Sequence, residues 1–146
     1  MTKQSAPPHP HHPALLRYLG CLLYDGLLLI AVLFFATGFA VILNQGKAFH
    51  SGNPFFIGFL LFVSYLFYGW FWTHGGQTLG MQSWKIKLIS LDHKPITWRQ
   101  TALRFITALI SWLPLGLGLF WSYLGKELQS WPDMASKTKL QQIEHQ

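Results

Sequence analysis

The chain has little charge and very little acid. Five Asp and Glu stand against eleven Lys and Arg in 146 residues, and charged side chains make up only 11% of the whole. A soluble domain carries about a quarter charged residues, so an ordinary soluble globular fold does not fit this composition. One cysteine, Cys21, rules out an internal disulfide, and its place in an apolar segment makes it a small packed residue rather than a reactive thiol. No pair of metal ligands recurs at helical spacing, no nucleophile stands beside a histidine, and no carboxylate pair appears. No catalytic residue, metal or cofactor is therefore expected, and the chain does not read as an enzyme. The string Gly75-Gly76-Gln77-Thr78-Leu79-Gly80 lacks the spacing and the Lys-Ser or Lys-Thr end of a phosphate-binding loop; its glycines read as tight-turn positions. At this length there is room for one small domain and none for a separate catalytic module.

What the chain has instead is long apolar runs. Residues 15–43 are apolar apart from Arg17, Tyr18, Tyr24, Asp25 and Thr37, long enough to cross a bilayer with tilt. Asp25 lies about 12 Å deeper than Arg17 at ~1.5 Å per residue. Arg17 can snorkel to the headgroups, whereas an unpaired aspartate near mid-bilayer costs about 2.5–3.5 kcal/mol on insertion scales. Asp25 is thus the first functional suspect. A second uncharged run covers residues 54–72 and ends in an aromatic cluster from Tyr65 to Trp72, as expected of an interfacial belt. A third covers residues 105–125, interrupted by Pro114, Gly116 and Gly118. It either spans or dips in and returns, since irregular backbone at depth is tolerated where protein or a wet cavity covers it.

Lys and Arg mark the cytoplasmic side. Lys47 alone lies between the first two runs, while Lys85, Lys87, Lys94, Arg99 and Arg104 lie between the second and third, with Lys3 and Arg17 at the start. The N-terminus and the second connection are expected to be cytoplasmic, and the C-terminal tail on the same side. The net charge of +6 flanks membrane segments, so its expected partner is anionic lipid headgroups, not nucleic acid. The first run is too long and too interrupted by charge for a cleavable signal peptide and is expected to stay as an anchor. Residues 1–14 read as a disordered Pro/His-rich tail, in which flexible prolines between His9, His11 and His12 fix no ligand geometry. In the second connection, residues 84–91 begin with the alternation of a half-buried strand and Asp92-His93-Lys94-Pro95 reads as a turn. A small cytoplasmic β-hairpin over residues 82–98 is the expected result, although Thr97 is also a suitable N-cap for a helix from Trp98 into the third run. Helices are expected over 15–43, 54–73 and 102–125, in a membrane domain over 15–140 followed by a tail over 141–146.

These residues also carry a family likeness. Arg17 at the start of the first helix, Asp25 within it followed by Gly26, and Asp133-Met134-Ala135-Ser136-Lys137-Thr138 near the end resemble the RDD family of bacterial membrane proteins, named for one arginine and two aspartates. The blocks Gly76-Gln77-Thr78-Leu79-Gly80-Met81 and Thr97-Trp98-Arg99-Gln100, with Arg104, are similar to the family's central blocks. Pro132 stands where the family often has His, and Met81 and Gln82 stand where basic residues are common. The resemblance covers residues 15–140. It implies a multi-pass protein of the bacterial inner membrane and transport of ligands not yet defined, including cation/proton exchange.

The expected architecture is an all-α polytopic membrane protein with two transmembrane helices, a third spanning or re-entrant segment and the small hairpin. In the transport reading Asp25 is the protonatable centre, Arg17 its electrostatic tuner and Asp133 a cytoplasmic gate or partner. A buried carboxylate favours the proton, a nearby cation favours ionisation, and so proton and monovalent cation compete for one site. Arg17 and Asp25 lie about 80° apart around a straight helix, so each is expected to find its partner on another segment. Gln77 and Thr78 are candidates for one of the two and Arg104 for the other, Arg99 or Arg104 is a candidate partner of Asp133, and Thr138 is a further supporting residue. Three helices enclose little space, so a homo-oligomer is expected. The alternative is a buried polar network that fixes helix packing in a non-transporting scaffold or accessory subunit.

Overall fold

The computed structural model describes residues 13–112, 121, 123 and 129–143. Helix α1 runs over Leu15–Leu43 with no proline and no helix-breaking polar cluster. A loop turning through Gly46 and Gly52, both at positive φ, leads to α2, Pro54–His74. Asn53 caps α2 by accepting from the Phe55 and Phe56 amides, and Pro54 occupies the first turn, where its missing N–H costs nothing. Both helices are long and apolar enough to cross a membrane. Their large side chains face outward: Phe34 and Phe35 are each 75% exposed and Phe55 88%.

Burial along α1 is confined to its first half. Tyr18, Cys21 and Asp25 are its only buried residues, spaced to share one face, and none lies beyond Asp25. Against that face sits the short helix α3, Leu79–Ser83, followed by strand β1, Ile86–Ser90. Helix α4 covers Trp98–Trp112, α5 covers Trp131–Ser136 and β2 covers Thr138–Gln142. The apolar core gathers Tyr18, Cys21, Met81, Ile86, Leu88, Ile96 and Leu140. It therefore lies where the N-terminal half of α1 meets α3 and the sheet, at the end of the α1/α2 pair where the chain leaves α2.

The strands differ from the hairpin expected over residues 82–98. β1 pairs antiparallel with β2, fifty residues away, in the register Leu88↔Leu140 and Ser90↔Thr138. The physical reason lies in residues 95–100. Pro95 offers no amide hydrogen, and Thr97 and Gln100 form a reciprocal cap: the Gln100 amide donates to Thr97 Oγ1 at 3.3 Å and the Thr97 amide to Gln100 Oε1 at 3.0 Å. That cap commits residues 98–100 to a helix and leaves the edge of β1 for the C-terminal residues. Two boundaries shift as well. β2 extends to Gln142, so Gln141 and Gln142 are sheet residues rather than tail. Pro13, at the end of the expected disordered tail, is buried and its carbonyl accepts from Tyr123 Oη at 2.9 Å. Helix α4 starts at Trp98, as the Thr97 cap indicated, and not at residue 102. The expected hinge at 114–118, and with it the choice between spanning and re-entry, falls outside the described residues, as does the His9, His11 and His12 cluster.

Helix α4 is amphipathic in reverse. Thr101, Arg104 and Ser111 are buried, while Leu103, Ile106, Leu109 and Ile110 are exposed. Hydrogen bonds from Thr101, Thr107 and Ser111 hydroxyls to carbonyls of the preceding turn satisfy those groups within the helix. Its polar face packs on α5 and its start on α2, where Tyr65 Oη donates to the Trp98 carbonyl at 3.2 Å.

Candidate functional site

Two buried polar clusters lie at the base of the helices. The first is centred on Asp25, which is 3% exposed. Thr78 Oγ1 donates to Asp25 Oδ2, the Gly80 amide donates to Oδ1 at 2.9 Å, and Cys21 Sγ lies 3.5 Å from Oδ2. Thr78 also caps α3, its hydroxyl accepting from the Met81 amide at 3.2 Å. One hydroxyl thus holds both the carboxylate and the start of the helix that covers it. The approach is close: a Cβ at Gly80 would lie 2.7 Å from Asp25 Oδ1 and 2.8 Å from the Cys21 carbonyl oxygen, so only glycine fits. Every described donor to Asp25 is neutral, and no Lys or Arg among the described residues forms an ion pair with it.

The second cluster is centred on Asp133, 1% exposed, which forms an ion pair with Arg104, 6% exposed. The same Arg104 nitrogen donates to Thr138 Oγ1 at 3.1 Å, and its guanidinium carbon lies 5.3 Å from the centre of the Trp72 ring. Asp133 Oδ2 accepts the Ser130 amide at 3.1 Å, which ties the start of α5 to the pair. Ser136 Oγ lies 2.6 Å from Thr138 Oγ1 and donates to the Pro132 carbonyl. This cluster welds α4, α5 and β2 together, and its charges cancel.

The residues singled out in the sequence therefore divide. Asp25 meets Thr78, and Asp133 meets Arg104 and Thr138. Arg17 does not join either cluster: it is exposed on α1, on a different face from Asp25, and forms no ion pair among the described residues. Gln77 is turned away from Asp25, and its amide donates to the Ile86 carbonyl at 2.8 Å, joining α3 to β1. Sequence reasoning missed Cys21 and Gly80 as contacts of Asp25. Cys21 had a usable signal in its four-residue spacing from Asp25 on one helix face. Gly80 had none, because its requirement comes from a neighbour 55 residues away.

Beside Asp25 opens a cavity of about 620 Å³ between α1, α2 and α4, closed by Met81 of α3, Ile86 and Leu140 of the strands and Pro132 of α5. Asp25, Tyr18, Tyr68, Trp72 and Arg104 stand at its base, and its walls include Leu29, Leu61 and Phe105. No group of three or more His, Cys, Asp or Glu side chains able to hold a metal occurs among the described residues.

No curated protein and no solved structure matches the chain. The model of the RDD family matches residues 13–137, which takes in Asp25, Thr78, Arg104 and Asp133 but not β2, which supplies Thr138 and Leu140. That span covers most of the sequence, and the chain belongs to the RDD family.

Proposed function

We propose that this protein is a multi-pass transporter of the bacterial inner membrane, in which Asp25 binds a proton and a cation in turn. Family membership and the two apolar helices support a membrane protein. The reversed polarity of α4 agrees, because a helix that buries Thr101, Arg104 and Ser111 and exposes Leu103, Ile106 and Ile110 is matched to lipid rather than water. Residues 26–43 of α1 are about 27 Å long at ~1.5 Å per residue and cross the hydrocarbon layer by themselves. Asp25 then sits at the cytoplasmic border of that layer, and residues 15–25 stand below it with α3 and the sheet. Arg17, exposed in that zone, anchors the helix to headgroups. Lys87 and Lys139, on the outer face of the two strands, meet anionic lipid. A protein with so few membrane helices favours a homo-oligomer as the working unit.

The observation that carries this reading is a buried carboxylate, facing a cavity, with no cationic partner among the described residues. A fixed cation would make Asp25 a structural strut. Neutral donors instead leave its charge to be balanced by a proton or by a substrate cation. The Arg104–Asp133 cluster has the opposite character, buried and internally paired, and it is the observation that favours the accessory-subunit reading.

The test is proton flux in proteoliposomes on addition of Na⁺, K⁺ or Li⁺, comparing wild type with Asp25→Asn of equal thermal stability. Cation-dependent flux that disappears in the variant is expected. Absence of flux from folded wild-type protein with all three ions would sink monovalent-cation exchange.

A further inference from the structure

We propose that the cavity beside Asp25 is a binding site for a lipophilic organic cation, with the charge held by Asp25 and the body by the aromatic and apolar walls. This rests on the reading of Asp25 as an exchange site and names its substrate class.

Charge is the first argument. Two charged residues line the cavity, Asp25 and Arg104, and Arg104 is already paired with Asp133. One negative charge is left over, on Asp25. A carboxylate has about four acceptor positions, and the donors from Thr78, Cys21 and Gly80 take three of them. The open position belongs to Oδ1.

The walls are the second argument. A bare alkali cation entering the site needs a shell of oxygen atoms to replace its water; besides Asp25 the lining offers the hydroxyls of Tyr18, Ser64, Tyr68 and Thr78, of which Ser64 and Thr78 already donate to the Leu60 carbonyl and to Asp25, and Leu29, Leu61 and Phe105 offer none. A cation whose charge is spread over an organic body carries its own apolar shell. It loses little hydration on entering and gains burial against these side chains and the π-faces of Tyr18 and Tyr68. The volume of about 620 Å³ lies in the ordinary range for small-molecule sites and far exceeds what one desolvated metal ion fills.

Access is the third. Leu23, Ile30 and Leu109 border the cavity and are themselves exposed, on the apolar flank of the molecule. A ligand already dissolved in the bilayer enters from the side without crossing water.

The probe is tetraphenylphosphonium, measured by equilibrium dialysis against the full-length protein in nanodiscs of zwitterionic lipid, with empty nanodiscs subtracted. Saturable binding is expected, weakened about tenfold or more in Asp25→Asn, the equivalent of ~1.4 kcal/mol. The uncharged analogue tetraphenylmethane should compete poorly. Ala108→Trp, which fills the cavity without touching a hydrogen bond of Asp25, should weaken binding as well, so a folding defect in Asp25→Asn does not decide the matter. Equal binding by wild type and a folded Asp25→Asn, or equal competition by the uncharged analogue, overturns the inference. Alkali-cation flux without tetraphenylphosphonium binding overturns it too and leaves the exchange reading standing. Asp25-dependent binding without alkali-cation flux supports it and removes only the monovalent ions from that reading.

Discussion

Gly80 is the residue on which the Asp25 site turns. Gly80→Ala would push a methyl group against the carboxylate and the backbone of α1, and backbone cannot rotate aside. Overpacking of this kind costs about 1–3 kcal/mol, so the variant should unfold several degrees lower in detergent. Thr78→Val should cost a similar ~1–3 kcal/mol, since it removes both the hydrogen bond to Asp25 and the cap of α3. Thr78→Ser keeps the hydroxyl and should restore most of the loss, which thermal unfolding would show directly. At this scale the sequence is half legible. A lone aspartate in an apolar run announces itself by its cost. Its partners do not, because hydroxyls and glycines are common everywhere and only their position in space makes them donors. Arg17 illustrates the reverse: the helical angle turned it from Asp25 toward a partner on another segment, and it forms no ion pair among the described residues.

Among the elements, the Arg104–Asp133 pair holds α4 to α5, with Thr138 joining β2. Removing one member leaves the other charge buried alone, which costs about 3–5 kcal/mol. Arg104→Met and Asp133→Leu should each be strongly destabilising, and the double variant should lose less than the two singles added together. Denaturation in mixed micelles, read as a double-mutant cycle, measures that coupling. Helix α4 makes a second prediction. A spin label at Ile106→Cys, in a Cys21→Ser background, should be more accessible to dissolved oxygen than to a water-soluble nickel reagent. The opposite order would place that face in water. The helices were legible from apolar runs and from the Thr97 cap. The pairing of β1 was not, because alternation in residues 86–90 identifies a strand without naming its partner, and a nearby turn always competes with a distant edge.

For the molecule as a whole, the β1/β2 pairing and the Arg104–Asp133 bond fix residues 130–142 to the same end of α2 as residues 86–90. If that end is cytoplasmic, residues 130–142 lie on the cytoplasmic side with residues 86–90. A membrane-impermeant maleimide should therefore label Lys47→Cys from one side of the membrane and Gln141→Cys from the other, again without Cys21. Labelling of both from one side would overturn the proposed topology. The charge bias of the loops pointed to this arrangement, but the tail carries nearly balanced charge and only the structure ties it to β1.

The same pairing sets an order of events during synthesis. Helices α1 and α2, α3 and β1 are complete well before residues 138–142 leave the ribosome, so β1 waits with an open edge and Arg104 waits without its carboxylate. Asp133 on α5 then pairs Arg104, and β2 closes the edge of β1. A chain truncated after Lys137 would leave that edge open and should be cleared by membrane proteases.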